Sequence, residues 1–99
     1  MMKENKIITY ISFAKKAGDV CIGFDAVKSS ICQHKSKLVI LLNDASDRTK
    51  NELEKFSNIN NIQCICVPFN SDVLLSIFYK KVVAISILNL NLATAILKI

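Results

Sequence analysis

The chain is poor in glycine, proline and histidine, with 2, 1 and 1 among its 99 residues. So little glycine leaves no Gly-x-Gly-x-x-Gly, no P-loop and no Gly-x-Ser-x-Gly, the signatures of dinucleotide sites, phosphate loops and serine hydrolases. His34 has no partner for work as a base or ligand and reads as a solvated loop residue. The 4 cysteines, Cys21, Cys32, Cys64 and Cys66, form no Cys-x-x-Cys pair, so their spacing supports no zinc site. They read instead as small apolar core residues in a reducing compartment. Cys64 and Cys66, two apart on an expected strand, would share one buried face. Acid is scarce as well, with 8 Asp and Glu against 13 Lys and Arg. Asp44 and Asp47 come nearest to a carboxylate pair, and both are better explained as turn and cap residues. No enzyme, metal or cofactor is expected.

No stretch is apolar for long enough to span a bilayer. The uncharged segment 82–97 falls short of the roughly 18 to 20 residues a spanning helix needs. Ser86, Asn89, Asn91 and Thr94 also interrupt it. Met1 to Lys6 leads straight into a helix with charges inside it, so no signal peptide is expected. These readings point to a soluble, cytoplasmic protein.

What is present is ample apolar content and positive charge. Hydrophobic residues make up 52% and charged residues 21%, a composition that can bury a core and argues against disorder. The length suits a single domain over residues 1–99. A formal net charge of +5 suits a polyanionic partner such as RNA, DNA or an acidic membrane surface.

The chain is organised around residues 37–50, where an apolar strand turns polar within one residue. Leu38 to Leu42 reads as a central strand buried on both faces. Asn43, Asp44, Ser46 and Asp47 are turn and cap formers, and Ser46 is the expected N-cap of a helix running to about Ser57. Thr49 with Glu52 offers an alternative capping box. Before this centre come a helix over 3–17, a strand over 19–22 and a helix over 24–33. After it come a strand over 62–67, a helix capped by Ser71 or Asp72 and reaching Tyr79, a strand over 82–88, and a helix over 90–98 capped by Asn89. Alternation of this kind predicts an α/β fold, with a mostly parallel four-stranded sheet covered by helices on both faces. The direction of the last strand is not set by the pattern.

Three strand-to-helix junctions then fall at one end of the sheet: 23–28, 43–50 and 68–72. Helix starts present backbone N–H groups that attract phosphate. Gly23 allows close backbone approach, and Phe24 follows it on the same rim. Lys28, Arg48 and Lys50 are candidate phosphate contacts, with a solvated face as their alternative. Phe69 is either a stacking face for an unpaired base or a core contact.

Several segments together resemble one family: Ala17-Gly18-Asp19-Val20, Gly23-Phe24-Asp25-Ala26-Val27-Lys28, Lys35-Ser36-Lys37-Leu38-Val39-Ile40, Asn43-Asp44-Ala45-Ser46 and Val83-Ala84-Ile85. Their order and spacing resemble the L-seven-Ae/L-thirty-e ribosomal protein family, in its small stand-alone bacterial YlxQ-like branch. The resemblance covers about residues 5 to 97. It implies a three-layer α/β/α sandwich whose four-stranded sheet is mixed, with the last strand antiparallel to the others. It also implies binding of structured RNA, typically kink-turns, where a sharp bend exposes sheared G·A pairs. The contacts it implies come from the same three junctions. They put Asp25 and Asn43 forward as base-edge readers and Asp44 beside them.

This sequence departs from the family pattern where strong binders carry Asn-Glu and then a Lys three residues past the Glu. Those places hold Asp25, Ala26 and Ser29, and Lys28 sits one residue early, about 100° around a helix. A good base-reading contact is worth roughly 1–3 kcal/mol, so these three changed positions leave open whether tight kink-turn binding survives. In place of a Leu-Gly turn after Pro68 stands Val73-Leu74-Leu75-Ser76. The alternative expectation is therefore a protein-interaction module on the same scaffold.

Overall fold

A computed structural model describes residues 2–99; Met1, from which the expected helix entry was read, lies outside them. Helix α1 (Met2–Ala17) carries its apolar stripe inward through Ile11 and Ala14, both fully buried. It ends in a Schellman motif. Asp19 N–H donates to Ala14 O at 2.8 Å and Gly18 N–H to Lys15 O at 3.1 Å, with Gly18 left-handed at φ 75°. Strand β1 (Val20–Ile22) leads into α2 (Phe24–Cys32), then β2 (Leu38–Leu41) and α3 (Asp47–Ile59). Helices α2 and α3 stop in the same way as α1. His34 (φ 59°) and Asn61 (φ 58°) take the left-handed position, while Lys35 N–H reaches Ser30 O and Ile62 N–H reaches Ser57 O, each at 2.9 Å. His34 is thus an exposed helix stop.

Strand β3 (Cys64–Cys66) precedes a 3-10 turn (Ser71–Leu74), a single-turn helix α4 (Leu75–Phe78), β4 (Ala84–Ile87) and α5 (Leu90–Leu97). The sheet runs in the order β1-β4-β2-β3. β2 and β3 pair in parallel, and β4 lies between β1 and β2, antiparallel to both. Two of the three strand pairs are therefore antiparallel, where alternation alone predicts a mostly parallel sheet. The reason is the β3–β4 connection. A parallel crossover needs a connection, usually a helix, long enough to traverse the sheet. Here a 3-10 turn and one α-turn return the chain at the end it left. The mixed sheet of the family resemblance is what the structure shows.

Helices cover both faces, giving the expected α/β/α sandwich. The period-two pattern of the strands divides the core. Leu38, Ile40, Ile85 and Ile87 face α1 and α5, where Ala93 and Ile96 meet Ile11, Ala14, Leu74 and Phe78. Val39, Leu41 and Ala84 face α2 and α3, where they meet Val27, Ile31 and Leu53. A buried hydroxyl chain completes this second layer. Ser30 Oγ lies 2.9 Å from Ser86 Oγ, which lies 2.7 Å from Ser36 Oγ. The chain satisfies polar atoms that burial would otherwise penalise.

The cysteine expectation needs correction. Cys32 and Cys66 are exposed, and Cys21 and Cys64 are only half-buried. β1 and β3 are the two edge strands, so neither is enclosed as β2 is. Burial still pushes the Cys64 thiol up to about 11. Leu97 is 44% exposed at the last turn of α5. The expected helix to Tyr79 is shortened by its 3-10 first half.

Candidate nucleic-acid interface

The carboxyl ends of β1, β2 and β3 and the amino end of β4 are laced together by the backbone. Gly23 N–H donates to Ala84 O at 3.0 Å, Leu42 N–H to Val83 O at 2.9 Å and Asn43 N–H to Phe69 O at 2.9 Å. The three junctions read from the sequence therefore share one edge. They form two halves that differ in what their donors already hold.

The first half is the start of α2 and the start of α3. Gly23 is the residue preceding α2, at φ 90° and ψ 159°, with no side-chain cap. Only glycine occupies that region without strain. A Cβ placed there would meet nothing within 4 Å, so the space beside this backbone is open. The first N–H groups of a helix have no intrahelical partner, and here no capping side chain takes them. Phe24, half-buried, lines a cleft of about 280 Å³ with Arg48, Thr49 and Glu52. Lys28 lies along the flank, its Nζ 5.9 Å from the Phe24 ring centroid and 5.4 Å from that of Phe56. Arg48 is 89% exposed and donates through Nε to Glu52 at 3.1 Å. Glu52 thus serves Arg48, and the alternative capping box of Thr49 and Glu52 is not what starts α3. Ser46 caps it, accepting from Thr49 N–H at 3.1 Å. Asp25 is exposed in the first turn of α2.

The second half lies between β2, β3 and β4, and its donors are occupied. Asp44 accepts from Ser71 N–H at 2.9 Å and from Ser71 Oγ at 2.6 Å. The Ser71 hydroxyl above all holds the Asp44 carboxyl below its ordinary value, against the opposing effect of burial, with the Ser71 N–H and the charge of Lys81 adding to it. Asn43 Nδ2 donates to Asn70 Oδ1 at 3.2 Å, and Lys50 Nζ donates to Asn43 O at 3.0 Å. Lys50 is thereby folded back onto its own turn. Phe69 is 5% exposed and belongs to the α1/α5 core. Its open alternative resolves to the core contact, because the ring has no face to offer a base.

Asn70 and Lys81 belong to this edge and were not singled out in the sequence, where Ser71 was read only as a helix cap. All three line a cavity of about 360 Å³ with Asp44, Asp72 and Leu75. Ser71 and Asp44 are 27 residues apart, so no local pattern announces their bond. Lys81 reaches the edge because β4 starts there.

Residues 5–95 match the model of the ribosomal protein L7Ae/L30e/S12e/Gadd45 family. The chain belongs to this family. Among solved structures, a protein of unknown function from Bacillus halodurans C is 20% identical. It superposes with a TM-score of 0.86 over 93% of each chain, a likeness of fold. No curated protein sequence matches the chain. Family membership suggests RNA binding and a ribosomal-protein-like character. No described helix is long and apolar enough to cross a membrane.

Proposed function

We propose that this chain is a cytoplasmic, non-enzymatic RNA-binding protein that grips bent RNA, of the kink-turn kind, at the junction edge. The observation that carries this reading is the open start of α2 behind Gly23, with no side-chain cap. A phosphate placed there meets unpartnered N–H groups and the positive end of the helix dipole. Arg48 and Lys28 flank it from α3 and α2, and Phe24 gives the cleft an apolar wall. Base-edge contacts are assigned to Asp25 and to Asn43, whose amide would exchange Asn70 for a base. Asp44 serves differently, by fixing the shape of the second half, and Lys50 by bracing the turn between the halves. A bent RNA supports both halves at once, since its two backbone segments converge where a straight duplex presents one. The free thiols agree with a reducing compartment.

A second reading, docking of a protein partner, is favoured by one feature: Asp25 and Glu52 put two carboxylates beside the phosphate position. Gel shifts across a salt series, with a kink-turn RNA and a straight duplex of equal length, separate the two. RNA binding predicts tighter binding of the kink-turn and a loss of about 0.7–0.9 log units of affinity per log unit of salt for each phosphate held. Equal or absent binding to both RNAs contradicts the proposal and leaves the protein-partner reading.

A further inference from the structure

Strand β3 lies at an edge of the sheet, and no charge in its own segment guards it. It pairs with β2 alone. Gln63 O accepts from Val39 N–H and Val67 N–H donates to Leu41 O, each at 2.9 Å. Backbone groups alternate in direction along a strand. Gln63, Ile65 and Val67 therefore face β2, while Cys64 and Cys66 aim their N–H and C=O groups outward. Pro68, without an N–H, ends this outward row. Ile65 and Val67 line an apolar cavity of about 280 Å³ on the α1/α5 face, with Ile7, Ile96, Leu97 and Ile99. Proteins usually protect such an edge with charged side chains, lysine above all. Here none of the 13 Lys and Arg or 8 Asp and Glu falls within residues 56–71. β1, the opposite edge, is flanked by Asp19 and Asp25.

We propose that β3 is the seam of a homodimer, pairing antiparallel with β3 of a second copy about a twofold axis through Ile65. Cys64 of each copy then stands opposite Cys66 of the other, and each pair exchanges both of its N–H···O bonds. A second copy is the occupant because the edge matches itself: its two outward residues, each with a donor and an acceptor, are symmetric about Ile65. Charge favours the same place. Each chain carries +5, so copies repel on approach, whereas meeting at β3 opposes no side-chain charges of the 56–71 segment. The twofold also sets the two cavities on one face, where Leu97, 44% exposed, gains apolar cover. The junction edges of the two copies lie at opposite ends of the seam and both stay open, so the dimer stands apart from the RNA reading.

Sedimentation equilibrium of the wild-type chain under reducing conditions, in a concentration series up to about 1 mM, tests the seam. The mass is expected to rise from 11.0 kDa toward its double. Cys66→Lys puts a charge on each edge at an exposed position and should stay monomeric throughout. Cys66→Ser keeps the backbone groups and should dimerise as wild type does. Thermal midpoints verify that both variants fold. Disulfides read the register. Residues opposed in a hydrogen-bonded pair have Cα atoms about 5.5 Å apart, a span that a disulfide bridges. One chain keeps only Cys64 and another only Cys66, with serine at the other cysteine positions. Oxidised glutathione is the oxidant: each interchain bond passes two electrons and two protons to it and releases two reduced glutathiones. The mixture should form covalent dimers faster than either chain alone. A wild-type chain monomeric at every concentration, dimerisation undiminished in Cys66→Lys, or cross-linking no faster in the mixture overturns the seam.

Discussion

The junctions after β1 and after β3 are built from similar parts and end in opposite states. Each has a polar turn and an aromatic residue at the carboxyl end of a strand. After β1, the turn leaves its N–H groups uncapped and Phe24 half-exposed in a cleft. After β3, Asp44 takes both the N–H and the hydroxyl of Ser71, and Phe69 disappears into the core. A helix start is therefore a potential anion site only when no neighbouring side chain has already satisfied it. In this molecule one carboxylate, reaching across 27 residues of sequence, makes the difference between an open helix start and a structural clamp.

That contrast can be broken most forcefully at the two phenylalanines. Phe69→Ala should destabilise the fold by about 3–5 kcal/mol, the usual cost of emptying a buried aromatic site. Phe24→Ala should cost far less stability and weaken RNA binding instead. Denaturant unfolding and gel shifts on both variants check this; a Phe69→Ala protein of wild-type stability would break the comparison.

Gly23→Ala comes next. Its backbone region is essentially restricted to glycine, so strain of about 1–3 kcal/mol is expected, although the added methyl meets nothing within 4 Å. Thermal unfolding reads the strain.

The clamp itself gives a smaller and pH-dependent effect. A carboxyl whose pKa is lowered on folding stabilises the fold above its unfolded value, near 3.9, and loses that contribution as pH falls through the lowered folded value. Wild type should therefore lose stability between about pH 5 and pH 2 more steeply than Asp44→Asn. At neutral pH the variant should be less stable by about 1 kcal/mol, the pair being solvent-screened. Parallel acid slopes for the two proteins would show that Asp44 is not the clamp. Smallest of all is Lys28→Ala, which should reduce the salt dependence of RNA binding by about one phosphate, or 0.7–0.9 log units.

Much of the architecture was legible because local chemistry decided it. The apolar run 38–42 marks the central strand, and Ser46 and Asn89 are caps that the structure uses, each accepting an N–H three residues on. Gly18 stops α1 as its position suggests. What could not be read depended on distance in sequence. The direction of β4 follows from a connection that holds only a 3-10 turn and a single helical turn, which the periodicity of the sequence does not show. Cys66 is exposed because β3 is an edge, which is a property of strand order. At the interface, residue types located the edge, but which donors stay open was settled by Asp44, Asn70 and Lys50 meeting partners elsewhere.

The most direct measurement is the change in backbone amide NMR shifts as a kink-turn RNA is titrated into the protein. The account predicts large, saturable changes at Phe24, Asp25 and Ala26, where the N–H groups await an anion, and small ones at Ser71, whose N–H is already held. Changes centred on Ser71 with Phe24 to Ala26 silent would contradict it.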